Sequence, residues 1–247
     1  MLSATRYKMS KPRMLRWLED LKANSIAVGS LCMPAKSSRS EIEGMMHNIL
    51  DPDIASDEIA RYLVESPTGG ILFWGPHHRY LVMPPFPVHE ERFSRTCEIE
   101  PLRSLLLKEF LIGLVLVRMG KYAIAVVQGE KLISSKAGTG LVHARHRQGG
   151  SSSHRFERHR DKQAEIFFTR VCGHAREQLE PRLRDLQYLL YGGTRETILD
   201  FRKQCHFLHQ FDERTLGILL DIRSPKQSGI EEAIQEAWSS RVIRWDG

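Results

Sequence analysis

The sequence predicts an α/β protein: a mixed β-sheet with covering helices fills the second half of the chain, and a smaller α+β domain precedes it. Three observations carry this. Successive apolar runs between about 110 and 138 are punctuated by glycines, a long stretch of helical periodicity follows them, and strand and helix signals then alternate to the end. At 247 residues the chain is long enough for one large or two small domains. The change of style near residues 100–110 sets the expected division at 1–106 and 107–247. A hydrophobic share of 41%, an aromatic share of 8% and a charged share of 27% are those of a chain that folds as a globular protein.

In the first part, Met14, Leu15, Leu18 and Leu21 recur at helical spacing, so the N-terminal stretch reads as a basic first helix. "SIAVGSLCM" reads as a strand. "SRSEIEGMMHNIL" and "ASDEIARYLVES" read as helices opened by Ser37 or Ser38 and by Ser56. "GGILFWG" and "HRYLVM", joined around Gly75 and Pro76, have the pattern of a hairpin, which Pro84 and Pro85 end because they cannot donate ladder hydrogen bonds.

In the second part, "LIGLVLVRMG", "YAIAVVQGE" and "LISSKAG" predict three strands in a meander, turned at Gly120 and Gly129 and closed by Gly138. After a polar stretch, Ala164, Phe167, Phe168, Val171, Cys172, Ala175 and Leu179 fall three or four apart, which predicts one amphipathic helix over about 156–180. "LQYLLYGG", "TRETILDFRKQC", "TLGILLDI" and "GIEEAIQEAW" then predict strand, helix, strand and helix.

The formal net charge of +6 favours polyanionic partners such as nucleic acid. A membrane span is not predicted, because the longest apolar run, "FLIGLVLV", is too short to cross a bilayer and stops at Arg118. The first acid, Glu19, follows Arg6, Lys8, Lys11, Arg13 and Arg16, which gives the N-terminus some transit-peptide character. The helical spacing favours a basic helix over that reading, and the lack of a long apolar segment speaks against secretion. Cys32, Cys97, Cys172 and Cys205 are far apart with no CxxC pair, so neither a disulfide framework nor a thiolate zinc site is expected, and a reducing cytoplasm fits.

The chemistry concentrates in "RHRQGGSSSHRFERHR" at 145–160. A Gly/Ser segment cannot bury apolar area, so the plain reading is a flexible surface loop. Against it, Arg145, Arg147, Arg155, Arg158, Arg160 and Lys162 are opposed within 141–162 only by Glu157 and Asp161. Guanidinium groups offer planar, multidentate donors to phosphate, and Gly149 and Gly150 let backbone N–H groups approach a ligand closely. Ser151 to Ser153 can cap the following helix and aim its free N–H groups at an anion. Cations on both sides of the tip suit a nucleic-acid backbone better than a small metabolite.

Competing chemistries find less support. The GxSxG elbow of serine hydrolases is absent, and His154 beside the serines does not make a triad. His143/His146 and Cys205/His209 have conceivable metal-ligand spacing, but no cysteine pair or HExxH anchors a site, so no metal and no cofactor are assigned. "LLYGGTRET" could seat a phosphate in a small-molecule enzyme, yet it has neither GxGxxG nor a P-loop lysine, and the turn at Gly192–Gly193 reads as scaffold.

"GGSSSHRFERHRDKQ" resembles the GGQ region of the middle domain of archaeal and eukaryotic class-I release factors, in which GGQ-S-x-x-R-F-x-R-x-R follows a basic stretch. Gly149, Gly150, Ser152, Arg155, Phe156, Arg158 and Arg160 match position for position, and Ser151 replaces the glutamine. The order of elements over 107–247 is similar as well, and the variant loop looks most like the Vms-like release factors, stand-alone peptidyl-tRNA hydrolases. The resemblance implies a release-factor middle-domain fold, RNase H-like. It also implies a cytoplasmic role in translation termination, ribosome rescue or quality control, with the ribosomal large subunit at its peptidyl-transferase centre, peptidyl-tRNA and rRNA as partners. It assigns catalysis to Gly149, Gly150, Ser151 and Ser152, in a loop at 138–155, and RNA contact to Arg145, Arg147, Arg155, Arg158, Arg160 and Lys162. The first hundred residues match the family only vaguely and show no codon-recognition motif, so stop-codon reading is not implied. Pelota-like rescue factors share the architecture without the motif, which keeps open a binding factor that has lost hydrolysis.

Overall fold

The computed structural model describes residues 4–49, 57–141 and 153–246, without the side chains of 48, 49 and 153–157. In chain order the elements are β1 (Ala4–Met9), α1 (Lys11–Ala23), β2 (Gly29–Met33), α2 (Arg39–Ile49), α3 (Asp57–Glu65), β3 (Gly70–Trp74), β4 (His78–Met83), β5 (Arg92–Ser94) and α4 (Glu100–Leu107). There follow β6 (Leu111–Arg118), β7 (Lys121–Gln128), β8 (Lys131–Thr139), α5 (Ser153–Leu179), β9 (Tyr188–Gly193), α6 (Arg195–Gln204), β10 (Thr215–Leu220), α7 (Gln227–Ala237) and β11 (Ser240–Asp246). They form two compact units, Met1–Lys108 with Trp238–Gly247, and Glu109–Ala237.

The first unit is a six-stranded antiparallel sheet in the order β1-β11-β4-β3-β2-β5. Alternation of side chains along each strand divides its core in two. Ile71, Phe73, Tyr80, Val82 and Val242 pack with Met14, Leu18 and Leu21 of α1 and Leu102 and Leu106 of α4. Leu72, Trp74, Leu81, Met83 and Ile243 face α2 and α3, where Ile42, Met46, Ile59 and Leu63 are buried. The start of α2 is a capping box: the Glu41 N–H donates to Ser38 Oγ at 3.3 Å while the Ser38 N–H donates to Glu41 Oε2 at 2.7 Å. The Ser38 N–H first, and then the Ser38 hydroxyl, which donates to the same Glu41 Oε2 at 2.8 Å, hold the Glu41 carboxyl below its ordinary pKa.

The sequence and the structure differ at the chain's ends. Residues 4–9, expected within a basic helix, form a strand whose partner lies at the other terminus, Ala4 opposite Trp245 and Met9 opposite Ser240. The helix starts only at Lys11, with Pro12 in its first turn, where a missing N–H costs nothing. β11 itself was not expected after the last helix, nor was α4, and the C-terminal strand belongs to the first unit instead of closing the second.

In the second unit the five strands are ordered β10-β9-β6-β7-β8. β6, β7 and β8 form the expected antiparallel meander, and β9 joins β6, and β10 joins β9, in parallel, so the sheet is mixed. Its two tight turns use glycine at positive φ, Gly120 at +79° and Gly129 at +58°. One face carries α5 and α6 over Val115, Val117, Ile124, Val126, Leu189 and Tyr191, and α7 packs on β7 and β10.

Cys172 of α5 and Cys205, at the end of α6, form a disulfide, which overturns the expectation that the cysteines make no disulfide. A separation of 33 residues hid the pair, because the sequence gives no spacing signature for two helices that meet only through packing. Closing a loop of that size stabilises a fold by roughly 3–4 kcal/mol.

Candidate nucleic-acid interface

The basic loop leaves the sheet from β8, its outer strand, and returns through α5. The exit is fastened at its base. Beyond the end of β8 the Gly140 N–H donates to the carbonyl of Gly120 at 2.9 Å, and Arg170 of α5 donates from Nη2 to the carbonyl of Thr139 at 2.5 Å. The backbone passes so close to α5 that a Cβ on Gly140 would lie 2.5 Å from Phe167 Cδ2 and 2.6 Å from Arg170 Nη2. At Gly138 it would lie 2.6 Å from the Tyr122 hydroxyl. Tyr122 in turn stacks on the His174 ring, centroids 5.4 Å apart and planes 13° apart, and His174 Nδ1 bonds Glu177 at 2.9 Å. Burial raises the Tyr122 hydroxyl pKa, partly offset by the Arg170 guanidinium, and the His174 bond lowers that of Glu177.

Helix α5 holds the other end of the loop. Its buried residues are Phe167, Phe168, Val171, Ala175 and Leu179, one stripe at helical spacing, and Gly113 of β6 admits it closely, since a Cβ there would lie 3.1 Å from Leu179 Cδ2. Upstream the burial stops. No residue from Arg158 to Ile166 is buried, and Ile166 is 63% exposed. The part of α5 before Phe167 begins at Ser153, which at 1.5 Å per residue makes about 20 Å of helix. Ala164, expected in the buried stripe, is half-buried, so the anchoring face begins one turn later than the spacing predicts.

The predicted site residues divide accordingly. Gly149, Gly150, Ser151, Ser152, Arg145 and Arg147 lie outside the described residues, as do His143 and His146. The proposed capping position before Ser153 falls there too. Arg155 and Phe156 are placed on the first turns of α5 by their backbone alone. Arg158 and Lys162 are exposed and Arg160 is half-buried. At helical spacing 155, 158 and 162 share one face of α5, whereas 160 is turned away from it. Arg170, Tyr122 and Phe167, which fasten the base, are not among the site residues that the sequence predicts. The one signal that could have marked them was "GTG" at 138–140, where closely spaced glycines report backbone passing against side chains.

Two alternatives meet direct geometry. Cys205 is bonded to Cys172, and His209 Nδ1 lies 3.1 Å from Asp212. In the Gly-Gly-Thr turn Thr194 Oγ1 accepts from the Thr197 N–H and caps α6, and a Cβ on Gly193 would lie 2.1 Å from the carbonyl oxygen of Val117. That turn is occupied as scaffold. No helix among the described residues is long and apolar enough to cross a membrane.

The order of elements, with the Gly-Gly sequence between β8 and the long helix α5, agrees with a protein of the release-factor class. Residues 111–243, more than half of the chain, match the family model of the Actinobacteria/chloroflexi VLRF1 release factor, and the chain belongs to that family. Curated relatives include peptide chain release factor subunit 1 of Archaeoglobus fulgidus, 29% identical over 153 residues, 62% of this chain and 37% of that protein. The namesake from Picrophilus torridus is 23% identical over 220 residues, 83% of this chain and 51% of its own length. The chain therefore spans only about a third to a half of these relatives. Among solved structures, the archaeal translation termination factor aRF1 aligns with 93% of this chain and 70% of its own at 19% identity and a TM-score of 0.43.

Proposed function

We propose that the chain is a cytoplasmic, ribosome-associated peptidyl-tRNA hydrolase that releases nascent chains from stalled ribosomes or large subunits. The observation that supports it most is the run Gly149–Arg160, a GGQ-type pattern that this family member carries at the head of a helix that buries no residue between Arg158 and Ile166. In this reading α5 carries the loop into the peptidyl-transferase centre. Gly149 and Gly150 let the backbone approach the ester, and water attacks the carbonyl carbon that joins peptide to tRNA. The Ser151 N–H donates to the developing oxyanion, a contribution independent of side-chain identity and worth about 10²–10³ in rate. The Ser151 hydroxyl, with Ser152 beside it, orders the water. Arg145, Arg147, Arg155, Arg158, Arg160 and Lys162 bind RNA phosphates on either side of the tip.

The replacement of glutamine by Ser151 favours one second reading, a rescue factor that binds the same ribosomal site without cleaving the ester. Release of a labelled nascent peptide from stalled large subunits separates the two. The hydrolase reading expects release by the native chain, collapse in Gly150→Ala, and a smaller loss in Ser151→Ala, which keeps the backbone donor. Binding without release would establish the second.

A further inference from the structure

The cations from Arg6 to Arg16 take no part in the loop, and the structure splits them between β1 and the start of α1. β1 is the outer strand of the first unit's sheet, paired to β11 alone. The register sets Lys8 opposite Arg241 and Arg6 opposite Ile243, so Arg6, Lys8 and Arg241 share one face of this two-strand border. Like charges directly opposite across antiparallel strands repel. Neither Arg6 nor Arg241 forms an ion pair with a described carboxylate. The three cations line a groove of about 380 Å³ with Tyr62 and Ser66 of the α3 end, and Glu65 is the only acid at its rim among the described residues. The Arg6 guanidinium lies over the Tyr62 ring, 5.0 Å from its centroid.

Two guanidinium groups without a described carboxylate, beside a third cation in one groove, favour a bound polyanion. We propose that this border of the first unit is a second RNA-binding surface, on which Arg6, set over the Tyr62 ring, holds backbone phosphates together with Lys8 and Arg241. A concave groove suits a nucleic-acid strand better than a flat bilayer. The inference rests on the first unit alone and not on the hydrolase reading.

The test is binding of a labelled single-stranded, uridine-rich RNA to the full chain across a salt series, followed by fluorescence anisotropy. The slope of log affinity against log salt is about 0.7 per phosphate contact on single strands. The variant Arg6→Gln/Lys8→Gln/Arg241→Gln is therefore expected to flatten it by about two, and its loss is expected to add to that of Arg145→Gln/Arg147→Gln in the loop. Should the triple variant not fold, Arg241→Gln alone is expected to flatten the slope by about 0.7. Wild-type affinity and slope in these variants would overturn the proposal, as would binding to phosphatidylglycerol vesicles without binding to RNA. Failure of peptide release leaves this outcome standing, and failure here leaves the loop's role standing.

Discussion

From Phe167 to Leu179 helix α5 sinks five side chains into the second unit's core and carries a disulfide; from Arg158 to Ile166 the same helix buries none. The two segments are continuous in hydrogen bonding and opposite in what stabilises them. The lower one is held by apolar burial, by Cys172–Cys205 and by Arg170 on the β8 exit, and it gives the upper one a fixed direction without contacting what the upper one is to touch. A helix whose exposed turns are rich in Arg and Lys is costly to retain for packing alone. Burial along α5 ends at Phe167, so substitutions on the two sides of that residue should separate effects on stability from effects on binding.

The largest expected effect is on the anchor. Phe168→Ala removes a buried ring from the centre of the stripe and should cost about 3–5 kcal/mol in denaturant unfolding. Ile166→Ala, two residues upstream, should stay within about 0.5 kcal/mol. Equal losses at the two positions would break the comparison. Replacing both Cys172 and Cys205 by Ser should lower stability by about 2–4 kcal/mol and leave the melting behaviour insensitive to thiol reductant, which the native chain's should not be.

The core beneath the anchor also predicts an alkaline limit. Burial pushes the Tyr191 hydroxyl up to about 12, with the nearby Arg202 guanidinium opposing it. Between pH 10 and that value the unfolded chain has lost the proton and the native chain retains it, so stability falls as pH rises, by about 2–3 kcal/mol at the upper end. Tyr191→Phe should remove that part of the fall, as unfolding measured at pH 9 and pH 11.5 would show. The smallest effect on stability belongs to the exposed segment. Arg158→Gln and Lys162→Gln should each leave stability within about 0.5 kcal/mol and flatten the salt dependence of RNA binding by about one charge equivalent.

Much of the second unit was legible because its contacts are local. The meander turns at Gly120 and Gly129, the periodicity of α5 and the closing strands and helices all declare themselves within windows of a few residues. The family was legible through the spacing from Gly149 to Arg160. What escaped depends on residues distant in sequence. β1 becomes a strand because β11 lies beside it more than 200 residues later, Cys172 meets Cys205 through the packing of two helices, and Arg170 finds Thr139 across the loop. Local periodicity also placed Ala164 in the buried stripe, since spacing reports which face is apolar but not where along a helix the core ends.

Peptidyl-tRNA hydrolysis as proposed requires α5 to present the Gly-Gly segment at a set reach from the Phe167–Leu179 anchor. Inserting two helical turns of seven Ala-rich residues between Gln163 and Ala164 lengthens the exposed segment by about 10 Å and preserves its facing direction to within about 20°. Peptide release from stalled large subunits, measured for this variant beside the native chain, tests the claim most directly. Unchanged stability and a release rate lowered by about 10²-fold or more are expected. Release equal to that of the native chain, or none by the native chain itself, would contradict it.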